Sequence, residues 1–273
     1  MEQEIEEIQA KAALQDDPET QDKADVQNKA EAEIAQDKAE TQAQAIVEVL
    51  EQAESQAIVN LQEQPEIQEQ ADPKEQIETL ENSETQDKIL LAALKLFAEK
   101  GFFNTSLTEI AEAAGVKNTS AVYQHFKNKQ AIAAQLYANI LDSLNISIDD
   151  IRRKNQKSSE QLRGIVDLLF KLTDDAPDVM RFLLVLKLDE FLPEEKPMLE
   201  SPAYVKIQKI IQSGIKAGEI RNIDSWLAHA YFFGIINNTL RMVLTGTLDK
   251  NADAYQSQVW LAAWNVIAKK GYS

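Results

Sequence analysis

The segment 86–141 contains the most restrictive pattern in the chain, a succession of short helices whose ends are marked in the sequence. Apolar residues recur at helical intervals over 89–98, and Gly101 follows them as a C-terminal cap. Ser106 and Glu109 have the spacing of a capping box, in which each side chain accepts a hydrogen bond from the other residue's backbone amide. The pattern therefore predicts one helix that ends near Gly101 and a second that begins at Ser106.

A third helix is predicted after a tight turn. Gly115 ends the second helix in a turn that tolerates positive φ, and the next helix begins near Asn118 or Thr119. Val122 and Phe126 are placed to face the core, which leaves the short polar residues of the first turn outside. This arrangement predicts a helix-turn-helix.

The segment resembles the N-terminal DNA-binding domain of the TetR family of bacterial transcriptional regulators. The runs LKLFAEKG, TSLTEIAEAAGV and YQHFKNK agree with the family pattern. One departure is visible, because six residues separate Gly115-Val116 from Tyr123 where family members more often have five. The resemblance implies an all-helical protein with a C-terminal domain that binds an effector and forms dimers.

The resemblance also implies which residues touch double-stranded DNA. By position these are Thr105, Ser106, Thr119, Ser120, Ala121, Tyr123, His125 and Lys129. Asn118, at the helix start, and Lys127, through its charge, complete the predicted set. In the alternative interpretation the helix-turn-helix is a packing module, Tyr123 is a half-buried core residue and His125 is an ordinary surface histidine.

Residues 1–84 differ from the rest of the chain in composition. They carry 24 acidic and 5 basic side chains, and they contain neither glycine nor an aromatic residue. Such a segment buries too little apolar surface to offset the entropy of ordering, so it predicts a disordered or partly helical acidic extension. Two roles stay open, a dispensable solubilising tail and an arm that repels DNA or docks on a partner.

Beyond residue 141 the sequence predicts further helices and no strands, so the fold class is all-α. Pro, Gly and Asp-Asp signals bound these helices. The predicted domains are the acidic extension at 1–84, the DNA-binding domain at 85–141 and a helical effector-binding and dimerisation domain at 142–273. The predicted later helices span 130–153, 159–173, 177–188, 202–217, 224–248 and 252–269.

The last two predicted helices hold all three tryptophans of the chain. In the resembled family the two final helices pair with those of a second subunit, and apolar residues cover more than one face of the last helix here. We therefore expect Trp260 and Trp264 in a homodimer interface.

The resemblance implies a small-molecule effector in the C-terminal domain. Polar residues on a largely apolar helix, among them His229 and Arg241, need partners if they are buried. In the alternative, Arg241 pairs with an acid such as Asp189 or Glu190, and His229 and Asn238 face solvent or the dimer partner. Most of the other candidates are then plain core residues. The candidate pocket residues are Phe170, Met180, Phe182, Leu186, Phe191, Phe233, Asn237 and Arg241.

Several classes of protein lack support in the sequence. There is no cysteine, no metal-binding or nucleotide-binding motif and no nucleophile motif, so we expect neither catalysis nor a cofactor or metal. No secretory signal or membrane-spanning run is visible, and we expect a cytoplasmic protein. The expected function is a ligand-responsive repressor that binds a palindromic operator as a homodimer. The alternative is a non-catalytic adaptor that works through the acidic arm.

Overall fold

The helix-turn-helix and the helices behind it are built as the sequence pattern predicts. The computed structural model describes the backbone of residues 73–271 and the side chains of residues 82–271. The only β structure in this range is an isolated bridge between Ile220 and Ala268, so the described fold is all-α. Its helices are α1 Pro73–Lys100, α2 Leu107–Ala113, α3 Thr119–His125, α4 Lys129–Lys154, α5 Ser158–Asp175, α6 Pro177–Leu184, α7 Leu188–Phe191, a 3-10 helix Met198–Glu200, α8 Pro202–Ala217, α9 Ser225–Leu244 and α10 Asp253–Ile267.

Two predicted helices are shorter than expected, for reasons that lie in backbone hydrogen bonding. The predicted helix 177–188 is divided into α6 and α7, because the amides of Val185 and Leu186 both donate to the carbonyl of Arg181 and end α6 there. The helix predicted to reach residue 248 ends at Leu244, where Gly246 has a φ of 72° and begins a turn.

The predicted acidic extension 1–84 overlaps α1. Residues 73–84 belong to that helix, and the remainder of the extension lies outside the described residues. The predicted domain boundaries after residues 84 and 141 therefore fall inside α1 and α4.

A single hydrophobic core joins the helix-turn-helix to the helices behind it. In this core α1 packs against α6, α4 packs against α8, and α9 packs along α10. The core contains Phe97 of α1 and Phe182 of α6, which are fully buried with ring centroids 6.5 Å apart. The helix-turn-helix is thus packed onto the C-terminal helices through side chains.

Glu219 ties three helices together just after α8. Its carboxylate accepts hydrogen bonds from the amides of Ser158 and Ser159, at 3.1 and 3.0 Å, at the start of α5. Its carbonyl accepts from the amide of Lys269 beyond α10, at 2.9 Å. Burial alone would raise the pKa of Glu219, but the hydrogen bonds from Ser159 and Ser158 outweigh it and hold the pKa below its ordinary value.

Candidate nucleic-acid interface

The start of α2 is fixed by the predicted capping box. The hydroxyl of Ser106 accepts from the amide of Glu109 at 3.2 Å, and the carboxylate of Glu109 accepts from the amide of Ser106 at 2.8 Å. Lys100 donates to the other carboxylate oxygen at 2.8 Å. The hydrogen bond from Lys100, followed by those from Ser106, lowers the pKa of Glu109 to about 2, so this carboxylate is ionised at neutral pH. Ser106 is exposed, but its hydroxyl is already bonded within the cap.

The recognition helix α3 presents its first turn to solvent. Asn118 is the N-cap residue, and its side-chain oxygen accepts from the amide of Ala121 at 3.2 Å. Val122 is fully buried and holds the helix against the core, whereas Ser120 is exposed and Tyr123 is 57% exposed. The helix therefore offers short polar groups and a phenol at the surface where base edges and phosphates would lie.

The other predicted contacts on this surface differ in their accessibility. Thr119, Ala121 and His125 are half-buried, and Lys127 is exposed beyond the end of α3. Lys117 and Gln124 are exposed as well and were not predicted. Their signal in the sequence was weak, because a lysine in a turn and a glutamine in a helix are common on any surface.

Thr105 does not have the role that the resemblance implies. Its side chain is only 2% exposed, and its hydroxyl is within hydrogen-bond distance of the carbonyls of Gly101 (3.0 Å) and Leu96 (3.3 Å). The hydroxyl donates to carbonyl groups at the C-terminal end of α1 and is not directed towards solvent. The prediction that this side chain contacts DNA is therefore corrected, because the hydroxyl is buried and bonded to the protein.

Lys129, predicted as a phosphate ligand, forms hydrogen bonds within the protein at the turn between α1 and α2. Its ammonium donates to the carbonyl of Phe102 at 2.7 Å and to that of Thr105 at 2.6 Å. The same nitrogen lies 4.4 Å from the centroid of the Phe102 ring. Desolvation lowers the pKa of Lys129, as expected for an ammonium withdrawn from water.

Phe102 links this turn to the C-terminal helices. Its ring stacks on that of Phe191 at the end of α7, with centroids 4.2 Å apart and planes within 7° of parallel. Phe103 meets the same Phe191 ring edge-on at 6.3 Å. Lys129 and Phe191 thus contact Phe102 from two sides, so a shift of α7 would also displace the start of α2.

A cavity of about 400 Å³ lies beside α7. Tyr137 of α4 forms part of its wall and donates a hydrogen bond to the carbonyl of Lys196 at 3.0 Å. Of the predicted pocket residues, Leu186 lines this cavity. The apolar part of the wall consists of Leu183, Leu186, Leu188, Leu192, Pro193, Pro197 and Met198.

The other predicted pocket residues lie elsewhere. The aromatic and methionine candidates are packed in the core, Asn237 is half-buried, and Arg241 is exposed and donates to the side chain of Asn238 at 2.9 Å. Arg241 is therefore corrected, since it does not line the described cavity. Its alternative partner Glu190 is instead paired with Lys187 at 2.7 Å. The core candidates are Phe170, Met180, Phe182, Phe191 and Phe233.

The two predicted interface tryptophans pack within the chain. Trp264 is buried, and its ring stacks on that of the half-buried Trp260 with centroids 5.6 Å apart. Trp260 also meets the ring of Phe232 edge-on at 5.9 Å and carries the guanidinium of Arg163 over its face at 5.2 Å. Within the chain these rings fill the space between α9, α10 and α5.

Two kinds of feature are absent from the described residues. None of their helices combines the length and the apolar character that crossing a membrane requires. In the same part of the chain, no three or more His, Cys, Asp or Glu side chains are grouped so that they could hold a metal ion.

The fold and the exposed helix α3 define a helix-turn-helix DNA-binding protein. Residues 89–136 match the family model described as bacterial regulatory proteins, tetR family. The HTH-type transcriptional regulator YvdT of Bacillus subtilis is 25% identical over 181 residues, which cover 64% of this chain and 90% of YvdT. The biofilm operon icaADBC negative transcriptional regulator IcaR of Staphylococcus aureus is 30% identical over 128 residues, which cover 47% of this chain and 64% of IcaR. The chain is thus similar to helix-turn-helix transcriptional regulators of the TetR family over its DNA-binding segment.

Solved structures agree with the fold. A TetR family regulator from Marinobacter aquaeolei has a TM-score of 0.59 at 19% identity, with 70% of this chain and all of the other covered. The regulator FadR of Bacillus subtilis, in complex with stearoyl-CoA, has a TM-score of 0.56 at 23% identity, with 64% of this chain and 96% of the other covered. The matches to regulators do not favour the adaptor alternative.

Proposed function

We propose that the chain is a ligand-responsive repressor that binds a palindromic operator as a homodimer and releases it when a small apolar or amphipathic molecule binds the C-terminal helices. The observation that carries the DNA-binding role is the solvent-exposed first turn of α3, which ends in an outward Tyr123. In this proposal residues 1–84 are the acidic extension, 85–141 the DNA-binding domain and 142–273 the effector-binding and dimerisation domain.

Base reading is assigned to Thr119 and Ser120, and phosphate contacts to Lys127, Lys117 and Tyr123. A hydroxyl in the first turn of a recognition helix can bond to base edges, whereas an exposed lysine supplies charge without sequence preference. Within the described residues, neither Lys117 nor Lys127 has an ion-pair partner, so both ammonium groups are available to phosphate.

A footprint on DNA upstream of the gene tests this role. We expect a protected palindrome whose half-sites are spaced by about one helical turn, since two recognition helices of a dimer meet the same face of the duplex. Ser120→Ala should change base preference at one position of each half-site by about 1–3 kcal/mol. Ser213→Ala, on the exposed surface of α8, is the matched control and should leave preference unchanged. Absence of any protected site would contradict the proposal.

The homodimer is supported by exposed apolar residues on α9 and α10. Leu261 is 56% exposed, and Tyr231 and Ala262 also lie at the surface. A Cβ added to Gly234 would meet nothing within 4 Å, so this glycine is not required by the fold of the single chain. Glycine inside a helix costs about 1 kcal/mol relative to alanine, and close approach of a second helix offers a reason for it.

Sedimentation velocity can test this interface. Leu261→Glu should convert the dimer to monomers, because a carboxylate would be buried without a partner. Leu199→Glu places the same charge at an exposed apolar residue of the 3-10 helix and should leave the dimer intact. Dissociation of the second variant alone would put the interface on another face.

The effector role is assigned to the cavity beside α7. Its volume lies within the range of small-molecule sites, about 300–1,000 Å³, and its wall is mainly apolar. Leu188 and Leu192 line it on either side of Phe191, so a ligand that displaces them would also move the ring stacked on Phe102. The ligand then favours a conformation in which the two recognition helices no longer fit their half-sites.

Operator release by saturated fatty acids and their CoA esters of increasing chain length tests this assignment, since FadR of Bacillus subtilis is described with stearoyl-CoA. Leu186→Trp should fill part of the cavity and abolish release while the variant still binds the operator. Leu186→Met keeps a similar volume and should respond normally. Release that survives Leu186→Trp would place the effector elsewhere.

A further inference from the structure

A second concave surface lies along α8, next to the first turn of α9. It is an open groove of about 670 Å³. Three of its lining side chains are large, apolar and exposed, namely Leu199, Val205 and Trp226, and the indole of Trp226 is 50% exposed. Apolar side chains gathered in one concavity mark a binding surface more often than the same residues scattered singly.

The position of the indole is fixed by the start of α9. Asp224 caps this helix, and its carboxylate accepts from the amides of Trp226 and Leu227 at 2.9 and 3.0 Å. The ring of Trp226 also lies 5.9 Å from that of His229, one turn further along. The backbone that carries the indole is therefore fixed, and the indole forms an apolar wall of the groove.

Gln208 gives the groove a polar atom that has no hydrogen-bond partner among the described residues. The residue is only 6% exposed, and its amide nitrogen donates to the hydroxyl of Ser225 at 2.8 Å. Its amide oxygen is buried and, among the described residues, has no hydrogen-bond partner. An amide oxygen has two lone pairs, and a buried acceptor without a donor is costly. A donor that enters the groove can satisfy it.

The charges around the groove cancel. Glu200 and Lys209 both line it, and the remaining polar lining residue, Gln212, is neutral. A ligand with a full charge would be attracted to one of the two ionic side chains and repelled by the other. The groove therefore favours an uncharged molecule.

We propose that this groove binds an uncharged planar aromatic compound that carries a hydroxyl or NH donor. The ring packs on the indole of Trp226 between Leu199 and Val205, and the donor bonds to the free amide oxygen of Gln208. The volume lies within the range of small-molecule sites, about 300–1,000 Å³. This site is separate from the cavity beside α7 and does not depend on the repressor assignment.

Fluorine NMR of the full chain labelled with 5-fluorotryptophan can test the proposal. The chain has three tryptophans, so three resonances can be assigned with single Trp→Phe variants. The probes are 2-naphthol and its methyl ether, 2-methoxynaphthalene, which differ in the hydroxyl donor. We expect 2-naphthol to shift the Trp226 resonance and to bind about tenfold more tightly than the ether, because only the phenol satisfies Gln208. The resonances of Trp260 and Trp264 should not move.

Two variants separate the parts of the site. Gln208→Met removes the acceptor at similar volume and should make the two probes equal by weakening 2-naphthol about tenfold. If this core variant does not fold, Leu199→Asp, at an exposed position on the groove, should weaken both probes by more than tenfold. Val185→Asp, an exposed apolar position outside the groove, is the matched control and should bind as the wild type does.

Four results would overturn the proposal. These are equal affinity of the two probes in the wild type, shifts at Trp260 or Trp264 in place of Trp226, and no shift up to the solubility limit of 2-naphthol. The fourth is a Trp226 resonance that changes with protein concentration before any probe is added, since the occupant of the groove would then be a second copy of the chain.

Discussion

Replacement of Lys129 by methionine should destabilise the turn between α1 and α2 and leave the number of phosphate contacts unchanged. The ammonium bonds to two carbonyls, those of Phe102 and Thr105, at 2.7 and 2.6 Å. It also lies 4.4 Å from the ring of Phe102. Methionine keeps the length of the side chain but has no donor, so both carbonyls lose their partner.

The expected cost follows from these contacts. A hydrogen bond from a charged group contributes about 1.5–3 kcal/mol, and a partly exposed cation over an aromatic ring adds about 0.5–1 kcal/mol. Withdrawal of the ammonium from water, which lowers the pKa of Lys129, offsets part of this. We therefore expect Lys129→Met to lower the free energy of unfolding by about 3 kcal/mol.

Denaturant unfolding followed by circular dichroism measures the stability, and operator binding at several salt concentrations measures the phosphate contacts. Lys127→Met is the matched control two residues away. Because Lys127 is exposed and beyond α3, its replacement should change stability by less than about 0.5 kcal/mol and reduce the salt slope by about one unit. If Lys129→Met instead keeps wild-type stability and loses one unit of slope, its ammonium is a phosphate ligand after all.

Three further outcomes are expected. Phe191→Ala should lower the free energy of unfolding by about 3 kcal/mol and speed hydrogen exchange at the amide of Thr105. The control Phe191→Leu should retain most of the stability. Unchanged exchange in the alanine variant would mean that the stack does not hold the turn. Glu219→Gln should cost about 2 kcal/mol at pH 7. The folded-state pKa of Glu219 lies below the unfolded value, so its contribution to stability is complete above the unfolded pKa and disappears as the pH falls through the folded pKa. A stability difference between wild type and Glu219→Gln that persists in strong acid would refute the role of the charge. Deletion of residues 2–72, upstream of α1, should leave operator affinity equal or tighter, most visibly at low salt. Loss of specific binding at every salt concentration would show that the acidic arm takes part in operator binding.

Local signals predicted much of the fold. The capping box of Ser106 and Glu109 depends on residues three apart, and the predicted helix 202–217 begins at a proline and ends before Gly218 in the structure. Such caps act within one turn, so the sequence shows both partners side by side. The exposed face of α3 was predictable for the same reason, because Val122 and the first-turn residues are separated by helical spacing.

Contacts between distant residues could not be predicted in this way. Lys129 is 24 residues from Thr105, and nothing in the run YQHFKNK shows that its ammonium returns to that turn. Trp264 was expected in a subunit interface because its helix is apolar on more than one face, but its spacing did not show that the ring stacks on the chain's own Trp260. Periodicity shows how much of a helix is apolar and does not show which neighbour covers it.

The stack of Phe102 on Phe191 limits how the chain can be divided into independently folding fragments. A fragment that stops at residue 141 would leave the ring of Phe102 without its cover, and a buried aromatic ring removes about 150–250 Å² from water. Such a fragment would expose this surface and tend to self-associate. We therefore expect the smallest fragment that folds on its own to extend at least to Phe191, and transplanting the helix-turn-helix onto another regulator to require an aromatic partner in the new host.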